Sequence, residues 1–252
     1  LPGNASSRRN ARKEREAVES LTDYPITSRW PPTQPDVIQL YSFPTPNGQK
    51  AGIALEELEL PYEAHRVAIM DNDQKSDAFL ALNPNGKIPA MIDPNGPDGT
   101  PLALFESGVI LTWLAEKTGR LGGDGKNRWQ VQMWLHWQIG GIGPFFGQMG
   151  HFVKFAADKV EDPYPKDRYV SESRRLLEVL DGALEGRDWV AGEFSIADIA
   201  ICPWLRTAIN FYEAGDLLRW DEFRNVPDYL DRFLARPAVR RGLDVPPRDP
   251  PT

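Results

Sequence analysis

Every strand-like pattern in this 252-residue chain lies before about residue 119, and everything after it has a helical period. That one-sided distribution restricts the fold to a mixed unit followed by a helical one. From Asp36 the elements are short and alternate. Val37-Ile38-Gln39-Leu40-Tyr41 is a brief apolar run between Pro35 and Pro44, the pattern of a buried strand. After Asn47, the residues Ala51, Ala54, Leu55 and Leu58 recur at i, i+3, i+4 and i+7, which predicts a helix that Pro61 ends. Tyr62 to Ile69 reads as a second strand, and Ser76 to Leu82 as a short helix closed by Asn83-Pro84-Asn85-Gly86. Ile88 to Asp93 and Leu102 to Phe105 form a strand pair across a loop rich in Gly, Pro and Asp. A helix from Glu106 to Lys117 then stops at Gly119.

The order β-α-β-α-β-β-α is the thioredoxin-like arrangement, assigned here to residues 36–119. A Gly-rich linker at 120–125 leads to an all-helical domain at 126–252, with helices expected over 128–155, 168–184, 196–215 and 226–235 and a proline-rich tail. The fold class is α/β plus all-α. Residues 1–35 read as an extension, helical from Asn10 to Leu21. Beyond it, prolines 25, 31, 32 and 35 predict an extended arm anchored on the body by Trp30.

Charge and cysteine content remove several classes. Lys and Arg number 29 against 36 Asp and Glu, a net charge of −7, so the broad positive field of a nucleic-acid or anionic-membrane binder is missing. No apolar run reaches the roughly 18 residues of a membrane-spanning helix. The first residues are charged and lack the apolar core of a secretory leader, while the chain opens on Leu1, as a trimmed one would. The single cysteine, Cys202, excludes an intramolecular disulfide framework and suits a cytoplasmic protein. His65, His136 and His151 have no metal-ligand spacing, so no metal is expected.

Three turns carry candidate chemistry. Phe43-Pro44-Thr45-Pro46-Asn47-Gly48 lies between the first strand and first helix, where thioredoxin-like redox proteins place a cysteine pair. A helix start there stabilises a thiolate. With no cysteine in the turn, two readings stand: Thr45 and Asn47 cap the helix, or they donate hydrogen bonds to the sulfur of an outside thiol. In Asn85-Gly86-Lys87-Ile88-Pro89-Ala90, a cis Ile88–Pro89 bond would expose the Ile88 backbone to a peptide-like ligand, whereas a trans proline would make an ordinary loop. In Phe105-Glu106-Ser107-Gly108, a carboxylate and hydroxyl at a helix start either cap it or hold a ligand's ammonium and carboxylate. Ser195-Ile196-Ala197-Asp198 is a capping box, read as structural, and Cys202 sits in an apolar neighbourhood as a buried small hydrophobe.

Taken together, these pieces resemble the glutathione transferase superfamily over about residues 36–240, and most of all its Nu class and the bacterial and fungal proteins allied to the yeast nitrogen regulator. Trp134-Leu135-His136-Trp137-Gln138, Gly143-Pro144-Phe145-Phe146-Gly147-Gln148 and Arg236-Pro237-Ala238-Val239 add to the likeness. The resemblance implies a homodimer that uses glutathione as co-substrate, with no metal. It implies Thr45 and Asn47 at the sulfur, Glu106 and Ser107 at the γ-glutamyl end, and Ile88 with Pro89 at the cysteinyl part. Gln74, Lys87 and Arg168 become further glutathione contacts. Tyr41 resembles the thiol-activating tyrosine of other classes only superficially, and its strand position favours core packing. The aromatic stretch 129–155 is expected to line the acceptor pocket and the dimer interface, with most of its aromatics in the core. The implied chemistry is glutathione-dependent disulfide reduction, with peroxidase activity beside it. The alternatives are conjugation or ether or halide displacement on an aromatic electrophile, and a non-catalytic glutathione-binding module.

Overall fold

The computed structural model describes residues 20–248. The helix expected over 10–21 lies outside them except for Ser20 and Leu21. The first unit runs α1 (Ile26–Arg29), β1 (Ile38–Ser42), α2 (Pro46–Leu58), β2 (Tyr62–Arg66), α3 (Asp77–Leu82), β3 (Ala90–Asp93), β4 (Leu102–Phe105) and α4 (Ser107–Thr118). The second is helical throughout: α5 (Asn127–Trp137), α6 (Gly143–Gly150), α7 (Tyr164–Ala183), α8 (Ile196–Asn210), α9 (Gly215–Leu218), α10 (Val226–Ala235) and α11 (Pro237–Gly242). Among the described residues no helix is long and apolar enough to cross a membrane.

The sheet has the order β2-β1-β3-β4, with β1 and β2 parallel and the other pairs antiparallel. This is the thioredoxin-like layout. β1 is buried along its whole length, which fits a continuous apolar run rather than an alternating one. The register sets the location of everything that follows. Tyr41 of β1 pairs with Ala90 of β3, and Ala90 pairs with Phe105 of β4. The turn after β1, the Ile88-Pro89 approach to β3 and the Glu106-Ser107 exit from β4 therefore meet at one end of the sheet.

The arm expected at 22–35 is not extended. Pro25 has φ −55°, which suits a helix start, and the next four residues form α1. Ile26 is fully buried and Trp30 donates from Nε1 to the Arg66 carbonyl at 3.1 Å. Together with Leu21 they close a core cluster that contains Tyr41, Phe79 and Ile92. Trp30 is an anchor, as expected, but Ile26 is the more deeply buried one.

The helix expected over 128–155 is interrupted by two π-helical turns, Gln138–Ile142 and His151–Phe155. Gly140-Gly141 in the first lowers the local helix preference and lets the backbone widen. The units are tied together by charge and by close backbone approach. Arg236 grips Glu57 through two hydrogen bonds of 2.7 Å, with its guanidinium 3.7 Å from the Phe194 ring. Gly242 lies so near α2 that a Cβ would fall 2.4 Å from the Ile53 Cα. Cys202 is fully buried, as expected.

Candidate active site

At the start of α2, Thr45 is the N-cap, and its Oγ1 accepts a hydrogen bond from the Gly48 amide at 3.3 Å. The capping reading of this turn is therefore realised. It does not remove the other reading, because a hydroxyl that accepts still has its proton to donate. Gly48 is required here by space: a Cβ would lie 1.9 Å from the Phe43 carbonyl oxygen.

Asn47 is fixed from the other domain. Trp204, on α8, donates from its indole Nε1 to Asn47 Oδ1 at 3.0 Å. An indole N–H can only donate, so the Asn47 oxygen faces the tryptophan and the amide NH2 points elsewhere. Thr45 and Asn47 thus share one polarity. Each acceptor is occupied by a protein N–H, and each donor is left over. Sequence patterning held no sign of Trp204, which is an aromatic residue after a proline inside an apolar helix.

Both side chains line a cavity of about 630 Å³ between the two units. One wall is the turn Phe43 to Asn47, and the facing wall is the last part of α8 with Arg206, Thr207, Asn210 and Phe211. Leu243, Asp244 and Arg248 of the C-terminal segment close a third side. That segment is held by Gln49 Nε2 to the Leu243 carbonyl at 3.0 Å and by Arg66 Nε to the Arg248 carbonyl at 2.7 Å. Of the aromatic stretch 129–155, only Phe155 reaches this cavity. Trp134, Phe145 and Phe146 pack on the helical core, as expected of most of these aromatics, and the expectation that the stretch lines the pocket is corrected. The central helix α8, not α5 or α6, faces the turn.

At the start of α4, Glu106 is exposed and has φ 71°, the left-handed side that a residue with a Cβ occupies at a cost of about 1–3 kcal/mol. Its side chain makes no capping bond. Ser107 is buried, and its Oγ accepts from Lys50 Nζ at 3.3 Å. Lys50 itself is fully buried and also donates to Gln138 Oε1 at 2.7 Å. Burial holds its ammonium far below the usual lysine range, at about 7, with the Glu106 carboxylate pulling the other way. A signal for it existed, since residues 50, 54 and 58 fall four apart on the apolar stripe of α2.

The Ile88–Pro89 peptide is cis, the first of the two readings of that turn. Gln74 lies beside the neighbouring turn, its carbonyl about 3.1 Å from where a Cβ on Gly86 would sit, and its buried Oε1 has no partner. Lys87 is exposed on that turn. Arg168 stands apart, exposed on the first turns of α7, and none of Gln74, Lys87, Ile88, Pro89, Glu106, Ser107 and Arg168 is among the residues lining the cavity beside Thr45 and Asn47. Tyr41 is fully buried and stacks on His65 at 4.7 Å, and burial drives its hydroxyl pKa up. It belongs to the core. Among the described residues no three His, Cys, Asp or Glu side chains gather as a metal would need.

Known proteins resemble this chain over both units. The family model for the glutathione S-transferase N-terminal domain matches residues 45–117, and that for the C-terminal domain matches 144–237. The chain is 42% identical over 210 residues to the disulfide-bond oxidoreductase YfcG of Escherichia coli, covering 82% of this chain and 94% of that one. A glutathione transferase structure from Pseudomonas putida, with one glutathione disulfide bound per subunit, is 54% identical with a TM-score of 0.89, covering 90% of this chain and 99% of that one. One from Burkholderia graminis, with two glutathione molecules per subunit, is 56% identical with a TM-score of 0.90, covering 93% and 98%. On both of its domains, the chain belongs to the glutathione S-transferase family.

Proposed function

We propose that this protein is a Nu-like glutathione transferase that reduces disulfide bonds, with Thr45 and Asn47 as the donors to the glutathione thiolate. The observation that carries this reading is the shared polarity of those two groups: each oxygen already accepts a protein N–H, from Gly48 and from Trp204, which orients the Asn47 NH2 away from the tryptophan and leaves the Thr45 proton to donate. Hydrogen bonds to the charged form lower a thiol pKa. The start of α2 adds the partial positive charge of a helix N-terminus.

In the first step the glutathione thiolate attacks one sulfur of a disulfide, forming a mixed disulfide and expelling the other sulfur as a thiolate. A second glutathione thiolate then attacks the glutathionyl sulfur, giving glutathione disulfide and the second product thiolate. No protein cysteine takes part, and Cys202 is buried away from the cavity. With a peroxide, the same thiolate would be oxidised to a sulfenic acid, releasing water or an alcohol, and a second glutathione would condense with it. The bound states named for the Pseudomonas and Burkholderia relatives, glutathione disulfide and paired glutathione, fit these steps.

On this reading Glu106 receives the γ-glutamyl ammonium and Ser107 with the start of α4 its carboxylate. The Ile88 backbone, ahead of Pro89, pairs with the cysteinyl part, Lys87 meets the glycyl carboxylate, and Gln74 turns its unpartnered oxygen to the peptide. None of these residues lines the cavity beside Thr45 and Asn47, and Arg168 has the weakest support because it alone comes from the helical domain, exposed on α7. The compartment is the cytoplasm. The homodimer would form on the α4–α5 face, where Val109, Met133 and Trp129 are 50%, 55% and 67% exposed.

The test is glutathione-dependent reduction of 2-hydroxyethyl disulfide against a no-enzyme control. Turnover supports the reading. Glutathione binding without turnover rejects it in favour of conjugation on an aromatic electrophile, for which Phe43, Phe155 and Phe211 offer an apolar wall, or of a non-catalytic binding module.

A further inference from the structure

Lys50 is a charge-bearing group that the thiol chemistry leaves unused. It is fully buried, at the junction of three elements, and both of its hydrogen-bond partners are neutral: Ser107 Oγ at 3.3 Å and Gln138 Oε1 at 2.7 Å. A protonated amine so placed lacks a counter-anion in contact, and burying an unpaired ammonium is unfavourable. The charged groups around it are otherwise engaged or offset. Glu106, before α4, is the carboxylate whose field reaches it. On α8, Asp198 is bonded to Val190, Ser195 and Tyr229, and Arg206 lines the cavity. On α11, Arg241 is paired with Glu56. On β1 the titratable group is Tyr41, buried in the other core cluster. From the helical domain the facing group is the uncharged Gln138, held in place by the first π turn.

A carboxylate that accepts from the Ser107 hydroxyl would bring Lys50 the counter-anion that its two neutral partners do not supply. We propose that Lys50 is the countercharge of the subsite at the start of α4, selecting ligands that bring an anionic carboxylate to Ser107 and taking up a proton as such a ligand binds. This rests on the reading that the γ-glutamyl end of glutathione docks there, and it adds what that reading lacks: a residue beneath the ligand that distinguishes acid from amide. Burial keeps the free lysine largely neutral above about pH 7. An anion behind Ser107 favours the protonated form. Gln138 then serves as the inner clamp that keeps the ammonium aimed at Ser107, so Lys50 acts through Ser107 as a positioning residue and not as a catalytic one.

The experiment is calorimetric titration with S-methylglutathione, which has no thiol proton to lose, near pH 7.5 in buffers of different ionisation enthalpy. The intact protein is expected to take up a net fraction of a proton per ligand bound, larger at about pH 8.5 than at about pH 7.5. In Lys50→Met the uptake falls to zero. The preference for S-methylglutathione over its analogue amidated at the glutamyl α-carboxylate drops about tenfold or more. A purely structural role would weaken acid and amide alike and leave their ratio unchanged, which would overturn the proposal. Binding to the intact protein without proton uptake overturns it without recourse to any variant, and so does uptake that persists in Lys50→Met. Failure of the intact protein to bind S-methylglutathione at all removes the glutathione reading, and the proposal falls with it.

Discussion

The starts of α4 and α8 look alike in sequence and behave differently in the fold. Each follows a turn with a hydroxyl and a carboxylate within a few residues, Glu106-Ser107 in one and Ser195 to Asp198 in the other. At α8 the motif closes on itself. Ser195 Oγ accepts from Ala197 N–H, and Asp198 accepts from Ser195 N–H at 2.8 Å, Val190 N–H at 3.1 Å and Tyr229 O–H at 2.8 Å. Burial still outweighs those bonds and lifts the Asp198 carboxyl to about 6. At α4 nothing closes. Glu106 makes no cap, holds a strained φ and faces solvent, while Ser107 is supported from below by an amine. The lesson is that composition marks a helix start, but the disposition of its acceptors tells a structural cap from a ligand site.

Five substitutions sharpen or break that contrast. The largest effect is expected at α8, where Asp198→Ala strands two buried N–H groups and the hydroxyls of Ser195 and Tyr229. Stability should fall by about 3–5 kcal/mol in urea unfolding, while the fraction that remains folded binds glutathione normally. A loss of affinity with intact stability would erase the distinction between the two helix starts. The opposite pattern is expected at α4: Glu106→Gln should weaken glutathione about tenfold or more while changing stability by less than about 0.5 kcal/mol. Equilibrium dialysis beside urea melts reads both quantities.

Lys50 gives the same comparison a pH axis. Its folded-state pKa is depressed from 10.5 to about 7, so the unfolded chain binds more protons between those values. The unfavourable contribution of its buried charge is fully present below about pH 7 and is relieved as pH rises toward 10.5. The unliganded protein should therefore gain stability from this group across that window, and Lys50→Met should flatten the dependence. An unchanged slope in the variant would assign it to another group. Smaller still are the effects at the start of α2. Asn47→Ala should raise the pKa of bound glutathione by about one unit. Trp204→Phe, which frees the Asn47 amide to rotate, should raise it by less, with rate loss in kcat more than in KM.

The thioredoxin-like half was largely legible because its signals are local. The turn after β1, the Pro89 entry to β3 and the Gly119 stop of α4 each follow from a residue whose backbone preference decides the outcome. The strand ends moved by a few residues, and α1 arose where a run of prolines had argued against regular structure. Pro25 is compatible with a helix start, and burial of Ile26 supplies the remaining drive. The helical half was legible only as helices. Its contributions to the site, Trp204 to Asn47 across 157 residues and Gln138 to Lys50 across 88, are long-range pairings that no local period encodes. The same is true of the acceptor side, where α8 and the C-terminal segment replace the aromatic stretch that the family resemblance had suggested. Lys50 lies between these cases: a lysine on an apolar stripe is visible in sequence, but its partners are not.

The central claim is that a hydroxyl and an amide, with acceptors already occupied, activate an outside thiol. Titration of the ultraviolet thiolate absorbance of bound glutathione in the intact protein, Thr45→Ala and Asn47→Ala tests it directly. The account predicts a bound thiol pKa well below the roughly 8.5 of a free cysteine-type thiol, rising in both variants and further in Asn47→Ala. A bound pKa equal to that of free glutathione, or one unmoved by both substitutions, would contradict it.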